Sequence, residues 1–255
     1  MAPSIKNPFS NIDAEEASRA AAHVKATVGQ SASQGRFITL EGIDGCGKST
    51  QARLLMAALR DAGHEVLHLR EPGGVRISEK IRALLLDPAN SEMGDVCELL
   101  LYEAARAQLV HEVISPALAA GTTVVCDRFY DSTTAYQGYA DGLNLQTVSQ
   151  ANALAVGACR PDLTLVFDID PEAAHARRAN REEGEDRLEA KGLAFQRKVA
   201  EGFRAIAAAD PSRVKLIDAA GDIAHVYLHV IAEVRALGLD IPEDVARQAY
   251  LEAGV

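Results

Sequence analysis

Five short apolar runs punctuate the chain, at Phe37–Glu41, Glu65–Leu69, Thr122–Asp127, Leu163–Ile169 and Val214–Ile217. None shows the strict apolar–polar alternation of a half-solvated strand, so each is expected to be buried on both faces, as in a parallel sheet. Between them, apolar residues recur at three- and four-residue spacing, most clearly over Gln51–Leu59, Val96–Ala120 and Gly192–Ala209. That spacing predicts amphipathic helices. Strand and helix in alternation predict an α/β fold: a five-stranded parallel sheet flanked by helices in three layers, with ligands at the carboxyl ends of the strands. Glu71, Asp127 and Arg128 each follow a strand end and are expected on that one edge.

The pattern fades at both ends. Residues 1–35 are Ala-, Ser- and Gly-rich, with Ser10 and Asp13 spaced as a helix-capping pair, and are read as a flexible appendage without catalytic content. No apolar targeting segment is present there, and Asp13, Glu15 and Glu16 argue against a mitochondrial presequence. The folded domain is expected over 36–238, with residues 239–255 as a C-terminal tail.

Composition narrows the partners. A chain of 255 residues suits one full core. Its formal net charge of -10 argues against a nucleic-acid polymer, whereas a small phosphorylated ligand needs only a local cluster of cations. No apolar stretch approaches the roughly 20 residues that span a bilayer. Cys46, Cys97, Cys126 and Cys159 form no paired motif, so neither a metal knuckle nor a disulfide framework is indicated, and reduced thiols suit a cytoplasmic protein. Cys126 and Cys159 are expected in the core.

The segment Gly42-Ile43-Asp44-Gly45-Cys46-Gly47-Lys48-Ser49-Thr50 carries the strongest chemistry. It spells a P-loop between a strand and a helix. Glycines let the backbone approach phosphates, and the first-turn N–H groups of the helix point at the anion. Lys48 is expected on the β- and γ-phosphates of ATP, and Ser49 on Mg²⁺.

A second string, Asp127-Arg128-Phe129-Tyr130-Asp131-Ser132-Thr133-Thr134-Ala135-Tyr136-Gln137, follows the third strand. With the phosphate loop, Arg70-Glu71-Pro72-Gly73-Gly74, Ala105–Gln108, Arg160–Leu163, Asp186–Glu189 and Ile217–Ala219, it resembles the thymidylate kinases. The resemblance covers most of residues 36–235. It implies a P-loop NTPase-type fold with a short lid near 177–189, and transfer of the γ-phosphate of ATP to dTMP, in dTTP biosynthesis. It implies that Arg128 holds the acceptor phosphate, that Arg106 donates to the thymine carbonyl, and that Tyr102 stacks on the base where many relatives have Phe. Ser132, Thr133 and Gln137 would complete the pocket for pyrimidine and sugar, with Tyr136, Glu71 and Arg82 lining it. Asp44 would meet the sugar 3′-hydroxyl, and Asp127 would lie near the hydrated metal. A homodimer is also implied.

Many eukaryotic relatives carry an arginine in the loop where this chain has Gly45. The run from Arg177 to Arg187 instead resembles the arginine-bearing lid of the bacterial-type enzymes. Arg181 is assigned the catalytic charge, with Arg177, Arg178 and Arg187 as alternatives. Two other functions fit the loop alone. A deoxynucleoside kinase or another nucleoside monophosphate kinase shares it, but the Ser132–Gln137 continuation favours dTMP. A GTPase-type switch normally shows N-K-x-D, and none is present.

Overall fold

The computed structural model describes residues 35–178, 187–188 and 191–254. The 1–34 part of the expected appendage lies outside them, as do Arg181 and most of the expected lid. Five parallel strands form one sheet: β1 (Phe37–Glu41), β2 (Val66–Arg70), β3 (Thr123–Asp127), β4 (Leu163–Asp168) and β5 (Val214–Asp218). Their order is β2-β3-β1-β4-β5. The three inner strands are buried almost throughout, as their unbroken apolar runs require. The edge strands depart from expectation. Alternate residues of β2 are only partly buried, and β5 exposes Leu216 and Asp218, because each strand has a neighbour on one side only and incomplete cover.

Two apolar clusters pack on the sheet. The larger joins Ile38, Leu40 and Leu165 to the helix Lys48–Asp61, the helix Gly192–Ala209 and the helix Ile223–Ala236. The smaller joins Phe37, Leu69 and Val124 to Leu109, Val113 and Phe129. Cys126 is buried in it, while Cys159 is only partly buried against it; all four cysteines are free. Beyond residue 238, where a tail is expected, Ile241, Ala246 and Ala249 are buried in the larger cluster, and the helix Glu243–Glu252 packs against the helix Lys48–Asp61.

The long helical pattern from Val96 resolves into the helix Asp95–Leu109, a π-helical turn Val110–Ile114 and the helix Ser115–Ala119. The widened turn lies just before Pro116, whose ring has no N–H to donate to the preceding turn. A second π-helical segment, Thr134–Ala140, carries Tyr136 and Gln137. Such wide turns often accompany functional positions.

Candidate active site

Because β2, β3 and β1 are adjacent and parallel, their carboxyl ends deliver three segments side by side. Glu71 N donates to Asp127 O at 2.9 Å, and Arg128 N to Leu40 O at 2.9 Å. A cavity of about 220 Å³ opens at this edge. From the phosphate loop it is lined by Asp44, Gly45, Gly47, Lys48, Ser49 and Thr50. Its other side is formed by Glu71, Arg82, Tyr102 and Arg106, and by Asp127, Arg128, Ser132, Thr133, Tyr136 and Gln137. Of the sequence-predicted loop residues, Gly42, Ile43 and Cys46 do not reach it. Cys46 is buried in the larger core cluster, and Gly42 and Ile43 turn their carbonyls to Lys48.

The loop takes its shape from glycine. Gly42, Gly45 and Gly47 all have positive φ, and Gly47 caps the helix Lys48–Asp61. Gly45 is the tightest position: at φ 87°, a Cβ there would lie 2.3 Å from Ala174 O. A side chain at Gly45 would therefore force the loop or the helix Pro171–Arg178 to shift, so the position disfavours an arginine. Lys48 is buried, and its Nζ donates to Gly42 O at 2.9 Å and Ile43 O at 3.2 Å.

The residues expected to hold Mg²⁺ pass a simple test of fit. Asp127 Oδ1 is buried and accepts no hydrogen bond among the described residues. Asp127 and exposed Ser49 both line the cavity. A hard cation that keeps most of its waters needs only one or two such oxygens.

Across the cavity, the shape comes from buried charges. Arg106 is 2% exposed. Its Nε donates to Glu71 Oε2 at 2.7 Å, and one terminal nitrogen donates to Glu103 Oε1 at 2.5 Å and Thr133 Oγ1 at 3.0 Å. Burial opposes the cation, yet Glu71 and Glu103 hold it above its ordinary range. Burial also pushes the Glu71 carboxyl up to about 7, against the pull of Arg106.

Arg128 is the one non-glycine residue with φ in the left-handed region among the described residues, at 68°. Such strain persists only where the surroundings over-determine it. Here its guanidinium donates to Gly42 O, Ser132 Oγ and Asp44 Oδ1, the last at 2.6 Å, and lies over the Tyr136 ring. These contacts tie the third strand's loop to the phosphate loop.

Sequence reading missed Glu41, which underlies this arrangement. It is fully buried at the end of β1, where its Oε1 accepts from Phe129 N at 2.8 Å and Ser132 N at 3.2 Å. Its Oε2 accepts from Ser132 Oγ at 2.5 Å. Burial, with Asp131 adding to it, pushes the Glu41 carboxyl up to about 7. Glu98 and Glu103 were missed as well. The signal available was a polar residue at a core position of an otherwise apolar helix face.

Of the alternative lid arginines, two are committed elsewhere. Arg177 donates to Ala219 O at 3.1 Å, and Arg187 Nε donates to Leu85 O at 2.9 Å. No helix among the described residues is long and apolar enough to cross a membrane.

The family profile described as Thymidylate kinase matches residues 40–228. The thymidylate kinase of Desulforapulum autotrophicum is 46% identical over 212 residues, covering 80% of this chain and 93% of that protein. That of Geobacter sulfurreducens is 49% identical over 189 residues, covering 72% of this chain and 89% of that protein. Among solved structures, the thymidylate kinase of Ehrlichia chaffeensis superposes with a TM-score of 0.65 at 34% identity, covering 79% of this chain and 99% of that one.

Proposed function

The chain belongs to the thymidylate kinase family and phosphorylates dTMP with ATP as donor, on the path to dTTP; we propose that the loop Gly42–Thr50 holds the donor and the pocket around Arg106 and Arg128 holds the acceptor. The observation that carries this division is the single cavity in which Lys48, Arg128 and Arg106 all open. Lys48 meets the β- and γ-phosphates. Arg128 meets the acceptor phosphate, offsetting the repulsion between two anions that must approach each other. Tyr102 gives the base a flat face, and Arg106 donates to its carbonyl. Asp44 receives the sugar hydroxyl, while Ser132, Thr133, Tyr136, Glu71 and Arg82 complete the walls.

An acceptor phosphate oxygen is already a nucleophile, so catalysis is mainly positioning and charge neutralisation. Ser49 and Asp127 would hold Mg²⁺, which when bound would neutralise charge on the donor phosphates. Arg181 is assigned the charge that meets the transferring group. The support is its resemblance to a lid arginine, together with the close approach of Ala174 O to Gly45, which disfavours a side chain there.

A homodimer is also proposed. Val96, Leu100 and Leu154 are exposed on two helices, Asp95–Leu109 and Leu145–Val156, that pack against each other. The absence of a spanning helix among the described residues and the reduced thiols support a cytoplasmic location. The function is tested by following dTDP formation from ATP and dTMP. Transfer should require Mg²⁺ and stop on chelation; failure to form dTDP with all components present contradicts the reading.

A further inference from the structure

Glu98 lies on the helix Asp95–Leu109, two turns before Arg106, and is 1% exposed. It is paired with two cations: Arg187 at 2.5 Å and Lys191 at 3.6 Å, the latter also bridged to Asp141 at 2.7 Å. Its Oε1 also accepts from Gln137 Nε2 at 2.6 Å. A carboxylate held between two cations has only lone pairs to offer. The Gln137 amide therefore has to present its NH₂ to Glu98, and its orientation is fixed by chemistry rather than by choice of fit.

Gln137 also lines the cavity. With the NH₂ turned to Glu98, the acceptor Oε1 is turned away from it and left for a ligand, and no donor among the described residues is recorded on it. Arg106, on the same wall, can only donate. The pocket wall thus offers one donor and one acceptor in a set order. Thymine presents the complementary pair, a carbonyl O4 and an N3–H. Cytosine presents the reverse, an amino group and a bare N3.

We propose that Glu98 is a positioning residue for base selection: by fixing the Gln137 amide, it makes that side chain an acceptor for the N3–H of thymine or uracil and a poor partner for cytosine. This rests on the reading that the cavity takes dTMP. Glu98 touches no substrate. It acts through Gln137, and its pairing with Arg187 and Lys191 is what denies it a donor role.

The test is the ratio of kcat/KM for dTMP to that for dCMP in the wild type, Glu98→Gln, Gln137→Leu and the double variant, each checked by thermal melting. Glutamine at 98 can donate as well as accept, so the Gln137 amide is released to turn. The ratio should fall about tenfold or more, chiefly through a higher KM for dTMP, with kcat at saturation little changed. In the Gln137→Leu background the same change at 98 should add nothing, because the two residues act as one unit. Should Glu98→Gln fold poorly, Glu98→Asp keeps the charge but withdraws it by a methylene, and should lose part of the discrimination. A ratio unchanged in folded Glu98→Gln, or an equal loss on both substrates, would overturn the proposal. A wild type that fails to prefer dTMP would instead remove the pocket reading itself.

Discussion

The loop Gly42–Thr50 and the pocket around Arg106 face each other across one cavity, yet they keep their shapes by different means. In the loop the backbone does the work. Gly42, Gly45 and Gly47 adopt positive φ, and the amides at the start of the helix Lys48–Asp61 form the anion site proposed for the donor. In the pocket, side-chain charges set the shape: Arg106 is locked by Glu71, Glu103 and Thr133, and Gln137 by Glu98. A loop built this way recognises any phosphate chain. A wall of oriented donors and acceptors recognises one base edge, which is the requirement of an enzyme that shares its donor with many others.

The contrast predicts that removing one charge harms the two regions differently. Arg106→Met should cost the most, because it leaves Glu71 and Glu103 buried without their cation. About 3–5 kcal/mol of stability should be lost in denaturant melts. A loss below about 1 kcal/mol would show that the pocket can relax around uncompensated carboxylates. Lys48→Ala should act on chemistry instead, lowering turnover about 10²–10³-fold while most of the stability remains. Retention of more than about a tenth of the activity would place the donor charge elsewhere.

Gly45→Ala probes the backbone side of the contrast. Its Cβ would meet Ala174 O at 2.3 Å in a left-handed conformation, so either the loop or the helix Pro171–Arg178 has to shift. A loss of about 1–3 kcal/mol with a raised KM for ATP is expected. An unchanged melting temperature would mean that the helix yields freely.

The smallest effect concerns pH. Glu41 and Glu71 have folded pKa values raised to about 7 from 4.5, so between those limits the folded state binds more protons than the unfolded one. Their contribution to stability is fully present below about 4.5 and is lost as pH rises through about 7. Glu41→Gln keeps an acceptor for Phe129 N and Ser132 N and removes one of these titrations. Its stability should therefore fall less between pH 5 and 7 than that of the wild type, read from melts at fixed ionic strength; an equally steep fall would assign the slope to other groups.

The same contrast explains what the sequence made legible. The phosphate loop is written in contiguous letters, and the strand ends that carry Glu71, Asp127 and Arg128 follow from runs of apolar residues. Burial on both faces was read correctly for β1, β3 and β4 but not for β2 and β5, since nothing local to a strand says that it lies at an edge. The supporting carboxylates were harder. Glu41 and Glu98 meet partners far along the chain, Ser132 and Gln137. Glu103 meets Arg106 only three residues on, but a glutamate on a helix reads as a solvated surface group before the fold is known. The π-helical segment Thr134–Ala140 was also invisible, because a widened turn shifts periodicity by a single residue.

The central claim, that a phosphate loop indifferent to the acceptor sits opposite a wall reading one base edge, is tested most directly by the efficiencies of the wild-type enzyme on dTMP, dUMP and dCMP at saturating ATP. Loss of the 5-methyl group removes only an apolar contact, so dTMP should lead dUMP by about 10- to 200-fold. The reversed edge of cytosine should leave dCMP well behind dUMP. A dCMP efficiency equal to that of dTMP would contradict the account.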